Sequence, residues 1–405
     1  MRHVPVWFDR LSKSRRPSWP RLRGEHDARV VVVGGGLTGA SCALSFAAAG
    51  IDVVLLEAEG IGGGIPAGGP GVLREGFSGS FSQAAATYGL RVTRAMWDVM
   101  RRGSLDLAAA LRRYGIRCDL QPRDVVTFAP PSPDAGRALR REYEMRHGAG
   151  IEGSWMTPNA VSRETAIESG GAIRTHGFVV DPYRACVGLI AAAAARGARV
   201  HERSPVRRIR ATRRHVEVQT AAALVRAETV VVTTGAPIKD LRALRRHLQA
   251  EHVYGVVTEA LPAVMRRQVG RREAVMEEAG ETWRNVRWMA DDRVLLHGGR
   301  QPQVPERARA RAVIQRTGQL MYEFSLLYPA ISGLPPAASW DAVDYDTTDG
   351  LPFLGPHRNF PRHVFAFGSM RHGAGLAWAA ARLALRHVQG EPAREDSALG
   401  FPRIL

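Results

Sequence analysis

The sequence is poor in cysteine and lysine, and both shortages argue against whole classes of protein. Cys42, Cys118 and Cys186 stand far apart without a C-x-x-C pair, which argues against a disulfide framework and a zinc site. Such thiols suit a reducing cytoplasm, so we expect a cytoplasmic protein and no metal ion. Only two of the 56 basic residues are lysine, and the arginines behind the net charge of +17 are spread through every segment. Without a basic strip interleaved with aromatics, this charge predicts a solvated surface and no nucleic-acid partner.

The sequence also lacks long hydrophobic runs. Residues 1–28 contain no apolar core of the kind that a secretory signal peptide needs. The most apolar stretch, residues 30–49, is interrupted by glycines and is too short to span a membrane. With 405 residues, 45% of them hydrophobic, the chain is expected to form two or three soluble globular domains without a membrane span.

What the sequence does contain is a glycine turn between two apolar strands, in RVVVVGGGLTGASCALSFAAAGIDVVLLE (residues 29–57). Gly34 suits the sharp turn, Gly36 lets the backbone approach a pyrophosphate at the helix N-terminus, and Gly39 permits close packing of helix on strand. Glu57 ends the second strand, where an acid accepts a hydrogen bond from a ribose hydroxyl. Strand, turn, helix, strand and acid in this register predict a dinucleotide-binding unit.

This unit leaves the dinucleotide open between NAD and FAD, because Glu57 disfavours only a 2′-phosphate. Directly after it, the segment GIGGGIPAGGPGVL brings seven glycines between residues 60 and 71, more than a simple NAD fold needs. A further bare loop, GSMRHGAG (residues 368–375), follows the apolar run HVFAF near the end of the chain. Loops without Cβ atoms let backbone amides approach a flat or anionic group closely.

The order of these and other segments resembles the D-amino-acid oxidase-like flavoprotein family. The resemblance is strongest to the branch of glycine oxidase, sarcosine oxidase and gamma-glutamylputrescine oxidase. Nearly the whole chain takes part, from VPVWFDRL through DPYRACVGLI and ETVVVTTGA to TTDGLPFLG and FGSMRHGAGLAW. It implies FAD as the cofactor. Because Ala342 stands where sarcosine oxidases attach flavin through a cysteine, the FAD is expected to be noncovalent.

The resemblance implies an α/β protein, α+β overall. A Rossmann-like FAD-binding domain would be interleaved with a smaller β-sheet substrate domain. An N-terminal lead-in (1–25) would precede an FAD-binding domain of residues 26–115, 180–245 and 340–405 and a substrate domain of residues 116–179 and 246–339.

The residues expected to bind FAD lie mainly in the glycine-rich segments and in the loop of residues 368–375, called the C-terminal loop below. In such folds that loop faces the pyrimidine edge of the flavin, where the positive end of the next helix favours the anionic reduced form. The expected residues are Gly34, Gly36, Leu37, Thr38, Gly39, Glu57, Ala58, Gly62, Gly64, Gly69, Gly71, Val206, Gly235, Gly368, Arg371, His372, Gly373, Gly375 and Leu376.

Three residues are the candidates for catalysis. Arg371 stands where glycine oxidases carry an arginine that clamps a carboxylate, and an arginine fork suits that group. His372 matches a histidine of the sarcosine and putrescine branches, where packing and proton handling both stay open. Asp344 replaces a second clamp arginine of glycine oxidases and would suit a substrate ammonium.

The predicted function is FAD-dependent oxidation of a C–N bond in an amine or amino acid, of the glycine or N-substituted-glycine type. A hydride would pass to flavin N5 and the imine would hydrolyse. The lysine that assists oxygen in sarcosine oxidase has no clear counterpart here, so O2 and an electron carrier both stay open as acceptors. A 2-hydroxy-acid dehydrogenase of the same fold and a non-catalytic flavin-binding protein are the alternatives. The sequence leaves the oligomeric state open.

Overall fold

The computed structural model describes residues 2–404 except 13, 15, 78 and 281–283. Most of the described residues belong to two large β-sheets, a small third sheet and the helices that cover them. The strands are β1 (Gly24–Val33), β2 (Val53–Leu56), β3 (Val72–Arg74), β4 (Gln121–Pro122), β5 (Asp124–Phe128), β6 (Ser154–Met156), β7 (Ala172–Thr175), β8 (Gly177–Val179), β9 (Arg199–His201), β10 (Arg208–Ala211), β11 (Val216–Gln219), β12 (Ala223–Val232), β13 (Leu248–Thr258), β14 (Ala274–Glu278), β15 (Asn285–Trp288), β16 (Val294–Pro302), β17 (Pro336–Thr347), β18 (Phe353–His357) and β19 (Phe360–Phe367).

The helices differ widely in length, and short 3₁₀ segments supplement them, among them Met370–His372 in the C-terminal loop. The α-helices are α1 (Val6–Asp9), α2 (Leu37–Ala48), α3 (Ile65–Gly68), α4 (Phe81–Tyr88), α5 (Leu90–Arg113), α6 (Pro133–Gly148), α7 (Pro158–Thr165), α8 (Pro182–Ala194), α9 (Ala263–Arg266), α10 (Glu306–Leu327) and α11 (Leu376–Gln389).

The first large sheet is built around the valine run of β1. Its strand order is β10-β11-β12-β1-β2-β9, and β19 pairs in parallel with the end of β12. Successive side chains of a strand point to opposite faces. Val30 and Val32 therefore join the core formed with α2, α5, α8 and α11, while Val31 and Val33 join the core that contains Phe365. Burial on both faces explains why this strand is a continuous apolar run.

The second large sheet has the order β17-β13-β16-β15-β14-β5-β7-β6. Its longest pairing joins β13 and β17 in antiparallel register, from Leu248 opposite Thr347 to Val257 opposite Ala338. Helix α10 packs on β13, β16 and β17, and Phe324 and Tyr328 contribute to the core on that face. The small third sheet has the order β3-β8-β4. Its strand β3 directly follows residues 60–71, the second glycine segment.

The expected mixed α/β class with a Rossmann-like sheet is confirmed. The expected domain boundaries stay a prediction. The one at residue 340 falls inside β17, which is hydrogen-bonded to β13 along most of its length, so this strand belongs to the second sheet up to Thr347.

Candidate cofactor and substrate site

A cavity of about 430 Å³ lies at the carboxyl ends of β1 and β2. Glu57, Ala58 and Val206 line one part of it, and Arg74 and Gly373 line another. Fifteen of the residues that the sequence assigned to cofactor binding line the cavity: Gly34, Gly36, Leu37, Thr38, Glu57, Ala58, Gly62, Gly64, Gly69, Gly71, Val206, Gly235, Gly368, Gly373 and Leu376.

The first glycine turn is shaped as its spacing predicts. Gly34 has a φ of 110°, and a Cβ there would lie 2.9 Å from the carbonyl oxygen of Thr233. A Cβ on Gly39 would lie 1.9 Å from the carbonyl oxygen of Gly34, so Gly39 packs the helix on the turn without lining the cavity. At Gly36, which lines the cavity, a Cβ would meet nothing nearer than 4.0 Å.

Helix α2 begins at this turn with its N-terminus directed at the cavity. Its N-cap is Gly36 and makes no side-chain capping bond, while Leu37 and Thr38 line the cavity. The first N–H groups of a helix have no partner within the helix and carry a partial positive charge. This arrangement can bind an anionic group such as a pyrophosphate.

Glu57 lies beside the turn as the carboxylate of the site. Its two oxygens accept hydrogen bonds from the backbone N–H of Gly35 at 2.6 Å and of Glu59 at 2.8 Å. Burial raises the pKa of Glu57, and these two hydrogen bonds oppose that shift. The N–H donors fix the carboxylate at the cavity wall, where it can accept a hydrogen bond from a hydroxyl group of a ligand.

The second glycine segment is held from behind through its carbonyl groups. The carbonyl oxygen of Gly68 accepts hydrogen bonds from Trp340 Nε1 at 3.0 Å and His297 Nε2 at 3.1 Å. That of Gly69 accepts one from Trp7 Nε1 at 2.9 Å. Burial, followed by the nearby charge of Arg300, lowers the pKa of His297 to about 3, so its imidazole is neutral. The donors come from α1, β16 and β17, none of which adjoins the segment in sequence.

The C-terminal loop is fixed by the buried carboxylate of Asp344. This carboxylate accepts hydrogen bonds from Ser369 Oγ at 2.5 Å and from the backbone N–H of Met370 at 3.0 Å, and it forms an ion pair with Arg300. Ser369 and Met370 both line the cavity. Asp344 itself is 0% exposed and lies outside the lining. The expectation that Asp344 offers its charge to a substrate ammonium is therefore corrected, because its oxygens face the loop.

Arg371 and His372 also lie outside the cavity lining. The Nε of Arg371 lies 3.3 Å from Asp346, and its Nη2 lies 4.0 Å from Glu251. These acidic neighbours do not support the expected carboxylate clamp at Arg371. His372 is 1% exposed and packs beneath Gly368, where a Cβ would lie 3.3 Å from its Cδ2.

The loop also needs Gly375, although this glycine does not line the cavity. A Cβ there would lie 2.0 Å from Ser104 Oγ, so the loop packs directly on α5. On the other side, the N–H of Ala374 donates to the carbonyl oxygen of Val72 at 2.9 Å, which joins the loop to β3. Gly375 therefore has a packing role instead of the direct cofactor contact that the sequence suggested.

Sequence reasoning missed Arg74, which lines the cavity beyond the second glycine segment. Its guanidinium forms an ion pair with Glu277, and the Nδ2 of Asn285 donates to the same carboxylate at 3.0 Å. Glu277 is buried, which raises its pKa, and the charge of Arg74 opposes that shift. A basic residue directly after a glycine-rich segment was the available signal, but its partner lies 203 residues away in the sequence.

A family model of FAD dependent oxidoreductases matches residues 29–386. The chain belongs to this family. The flavoenzyme is 28% identical to gamma-glutamylputrescine oxidoreductase of Escherichia coli K12, over 92% of this chain and 86% of the relative. It is 27% identical to glycine oxidase of Geobacillus kaustophilus, over 86% of this chain and 89% of the relative. The crystal structure of glycine oxidase from Geobacillus kaustophilus aligns with a TM-score of 0.72 and 21% identity, covering 93% of this chain and 98% of that one.

The family assignment settles the choice between NAD and FAD in favour of FAD. The residues that line the cavity fit this cofactor. Gly36 leaves open space at the uncapped N-terminus of α2, and Glu57 lines the same part of the cavity. The adenosine and pyrophosphate would be held there, because an acid after the second strand binds ribose. The part lined by Gly71, Arg74 and Gly373 would then take the flavin ring.

The described residues show neither a metal-binding cluster nor a membrane-spanning helix. Within residues 2–404, apart from the six positions left undescribed, no cluster of three or more histidine, cysteine or acidic side chains is arranged to hold a metal ion. In that same part of the chain, no helix combines the length and apolarity that a membrane crossing requires.

Proposed function

We propose that this flavoenzyme oxidises the C–N bond of an amine or amino acid that carries a carboxylate, of the glycine or N-substituted-glycine type. The relatives whose names include a substrate, glycine oxidase and gamma-glutamylputrescine oxidoreductase, support a substrate with both groups. When bound, FAD supplies the two-electron oxidation that leaves an imine for hydrolysis. Either O2 or an electron carrier would take the electrons from the reduced flavin.

Arg74 is the observation that carries this proposal. It contributes the sole cationic side chain of the cavity lining within the described residues, and it lies at the part assigned to the flavin ring. A guanidinium fork binds a carboxylate through two parallel hydrogen bonds. Glu277 pairs with the fork and is itself held by a hydrogen bond from Asn285, so Arg74 would orient the substrate carboxylate without having to become ordered on binding.

The other residues of the site hold the cofactor and exclude water. The N-terminus of α2 would bind the pyrophosphate and Glu57 the ribose. Val72, Met370 and Leu376 place apolar surface around the part of the cavity assigned to the flavin ring. A desolvated surrounding of this kind strengthens the electrostatic contact between Arg74 and a carboxylate.

An anaerobic screen for flavin bleaching tests the reaction class. Amines with and without a carboxylate, and 2-hydroxy acids, would be added to the FAD-loaded enzyme. The proposal expects bleaching by carboxylated amines. Bleaching by 2-hydroxy acids alone would identify the dehydrogenase alternative, and no bleaching by either class would favour a non-catalytic flavin-binding protein.

Arg74→Lys tests the role of the arginine, with Arg371→Ala as the matched control. Lysine keeps a cation beside Glu277 but loses the fork, so about 1.5 kcal/mol of a charge-assisted contact is lost. We expect kcat/KM for carboxylated amines to fall about tenfold or more, with little change for monoamines. Arg371→Ala should leave this discrimination unchanged. The opposite pattern would return the carboxylate clamp to Arg371.

A further inference from the structure

Arg287 of β15 is a buried cation behind the second glycine segment. It is 5% exposed, and one nitrogen, Nη1, donates to the carbonyl oxygens of Pro70 at 2.7 Å, Val180 at 2.6 Å and Gly71 at 3.3 Å. Its guanidinium carbon lies 5.1 Å from the ring centroid of Trp7. All of these partners are neutral, so they satisfy N–H groups without cancelling the charge.

The charge of Arg287 lacks a carboxylate in direct contact. In the described part of the chain Arg287 forms no ion pair, and Asp181 is the acid that influences it most. Burial lowers the pKa of Arg287 to about 9, which still leaves it protonated at neutral pH. A buried arginine is normally paired, because an isolated charge is costly in a low-dielectric interior. A buried arginine that no carboxylate contacts therefore calls for a function.

The guanidinium of Arg287 lies directly behind a residue of the cavity wall. Gly71 lines the cavity, and a Cβ on it would lie 2.8 Å from Nη1 of Arg287, so a single residue separates the guanidinium from the cavity. The peptide bonds described here are trans. The carbonyl of Pro70 points to Arg287, and the N–H of Gly71 therefore points the opposite way. The oriented peptide adds its dipole to the field of the cation.

Of the charged groups nearby, Asp181 opposes the charge of Arg287 without contacting it, and most of the others are paired or neutral. Arg74 is paired with Glu277, and Asp344 is paired with Arg300. The imidazole of His297, whose pKa is lowered to about 3, is neutral. Two-electron reduction with uptake of one proton converts a neutral isoalloxazine into an anion. A fixed positive charge lowers the free energy of that anion relative to the neutral oxidised ring.

We propose that Arg287, whose charge no carboxylate of the described residues contacts, raises the reduction potential of the bound flavin, acting through the Pro70–Gly71 peptide. It is a positioning and electrostatic residue, not one that contacts the substrate. The inference needs only that FAD is bound with its flavin ring at the part of the cavity lined by Gly71. It is measured without any substrate, so it can fail or succeed independently of the proposed C–N oxidation.

The test is the two-electron midpoint potential of bound FAD in the holoenzyme, measured against reference dyes. Arg287→Met should make reduction at least tenfold less favourable, which corresponds to a fall of about 30 mV for a two-electron couple. Arg287→Lys should keep most of the wild-type potential. Asp181→Asn removes the opposing negative charge and can keep the N-cap bond to the N–H of Arg184, so it should move the potential upward.

The outcomes separate an electrostatic role from a structural one. An unchanged potential in Arg287→Met, or an equal fall in Arg287→Lys, would overturn the proposal, since the charge would then not matter. If Arg287→Met does not fold or retain FAD, Arg287→Gln decides, because glutamine removes the charge and keeps an N–H donor for the carbonyl groups. A lowered potential in that variant supports the proposal, and an unchanged potential contradicts it.

Discussion

Replacing Asp344 by asparagine should destabilise the protein strongly, because its carboxylate joins β17 to the C-terminal loop. Asp344 is 0% exposed and accepts hydrogen bonds from Ser369 and Met370 while pairing with Arg300, whose side chain is 6% exposed. Breaking a buried ion pair by removing one partner costs about 3–5 kcal/mol. Asparagine keeps one oxygen acceptor, so we expect the low end, about 3 kcal/mol.

Asp346→Asn is the matched control, two residues further along the same strand. Its side chain is 18% exposed and its ion pair with Arg371 reaches 3.3 Å, so its loss should cost no more than about 1 kcal/mol. Denaturant unfolding at a fixed, saturating FAD concentration would be followed by tryptophan and flavin fluorescence. Asp344→Asn should also weaken FAD binding, since Ser369 and Met370 line the cavity.

Two results would refute this reasoning. If both variants lose the same stability, burial of Asp344 is not what matters. If Asp344→Asn unfolds like the wild type and instead raises KM for amines with and without a carboxylate, then its carboxylate faces the substrate, as the sequence first suggested.

Four further predictions follow from other features. Acid precipitation should release FAD into the supernatant, since Ala342 cannot form a thioether; colour that stays with the pellet would contradict this. Gly36→Ala should weaken FAD binding and leave the stability of the apoprotein unchanged, whereas Gly39→Ala should cost about 1–3 kcal/mol in unfolding free energy. Burial raises the pKa of Asp181 from 3.8 to about 6, so its contribution to stability is full below about pH 4 and is lost as pH rises past 6; Asp181→Asn should flatten this part of the stability profile. Binding to DNA should be weak and disappear as salt rises in a filter-binding assay, and sequence-selective binding at physiological salt would refute that.

The local parts of the site were predictable from the sequence. The turn at Gly34, Gly36 and Gly39 follows from the spacing of its glycines, and Glu57 follows from its place at the end of the next strand. The glycine segments line the cavity, and this too was predictable, because the absence of Cβ atoms can be read directly from the sequence. These features need no knowledge of distant contacts.

The other parts depend on contacts that the sequence does not display. Arg74 meets its partner Glu277 across 203 residues, and Arg287 reaches Pro70 across 217. Asp344 shows its charge in the sequence but not its burial, which is why an ammonium partner was expected where the structure has Arg300. The residue type determines which chemistry a side chain can perform, but only the fold determines which groups that side chain contacts.

The support of the second glycine segment also has a consequence for biosynthesis. Its carbonyl groups are held by Trp7, Arg287, His297 and Trp340, which leave the ribosome at widely separated times. A nascent chain therefore cannot complete this wall of the cavity until residue 340 has emerged. We expect FAD to be loaded only after residue 340 has been synthesised, so that bound flavin marks a chain that has been synthesised and folded at least that far.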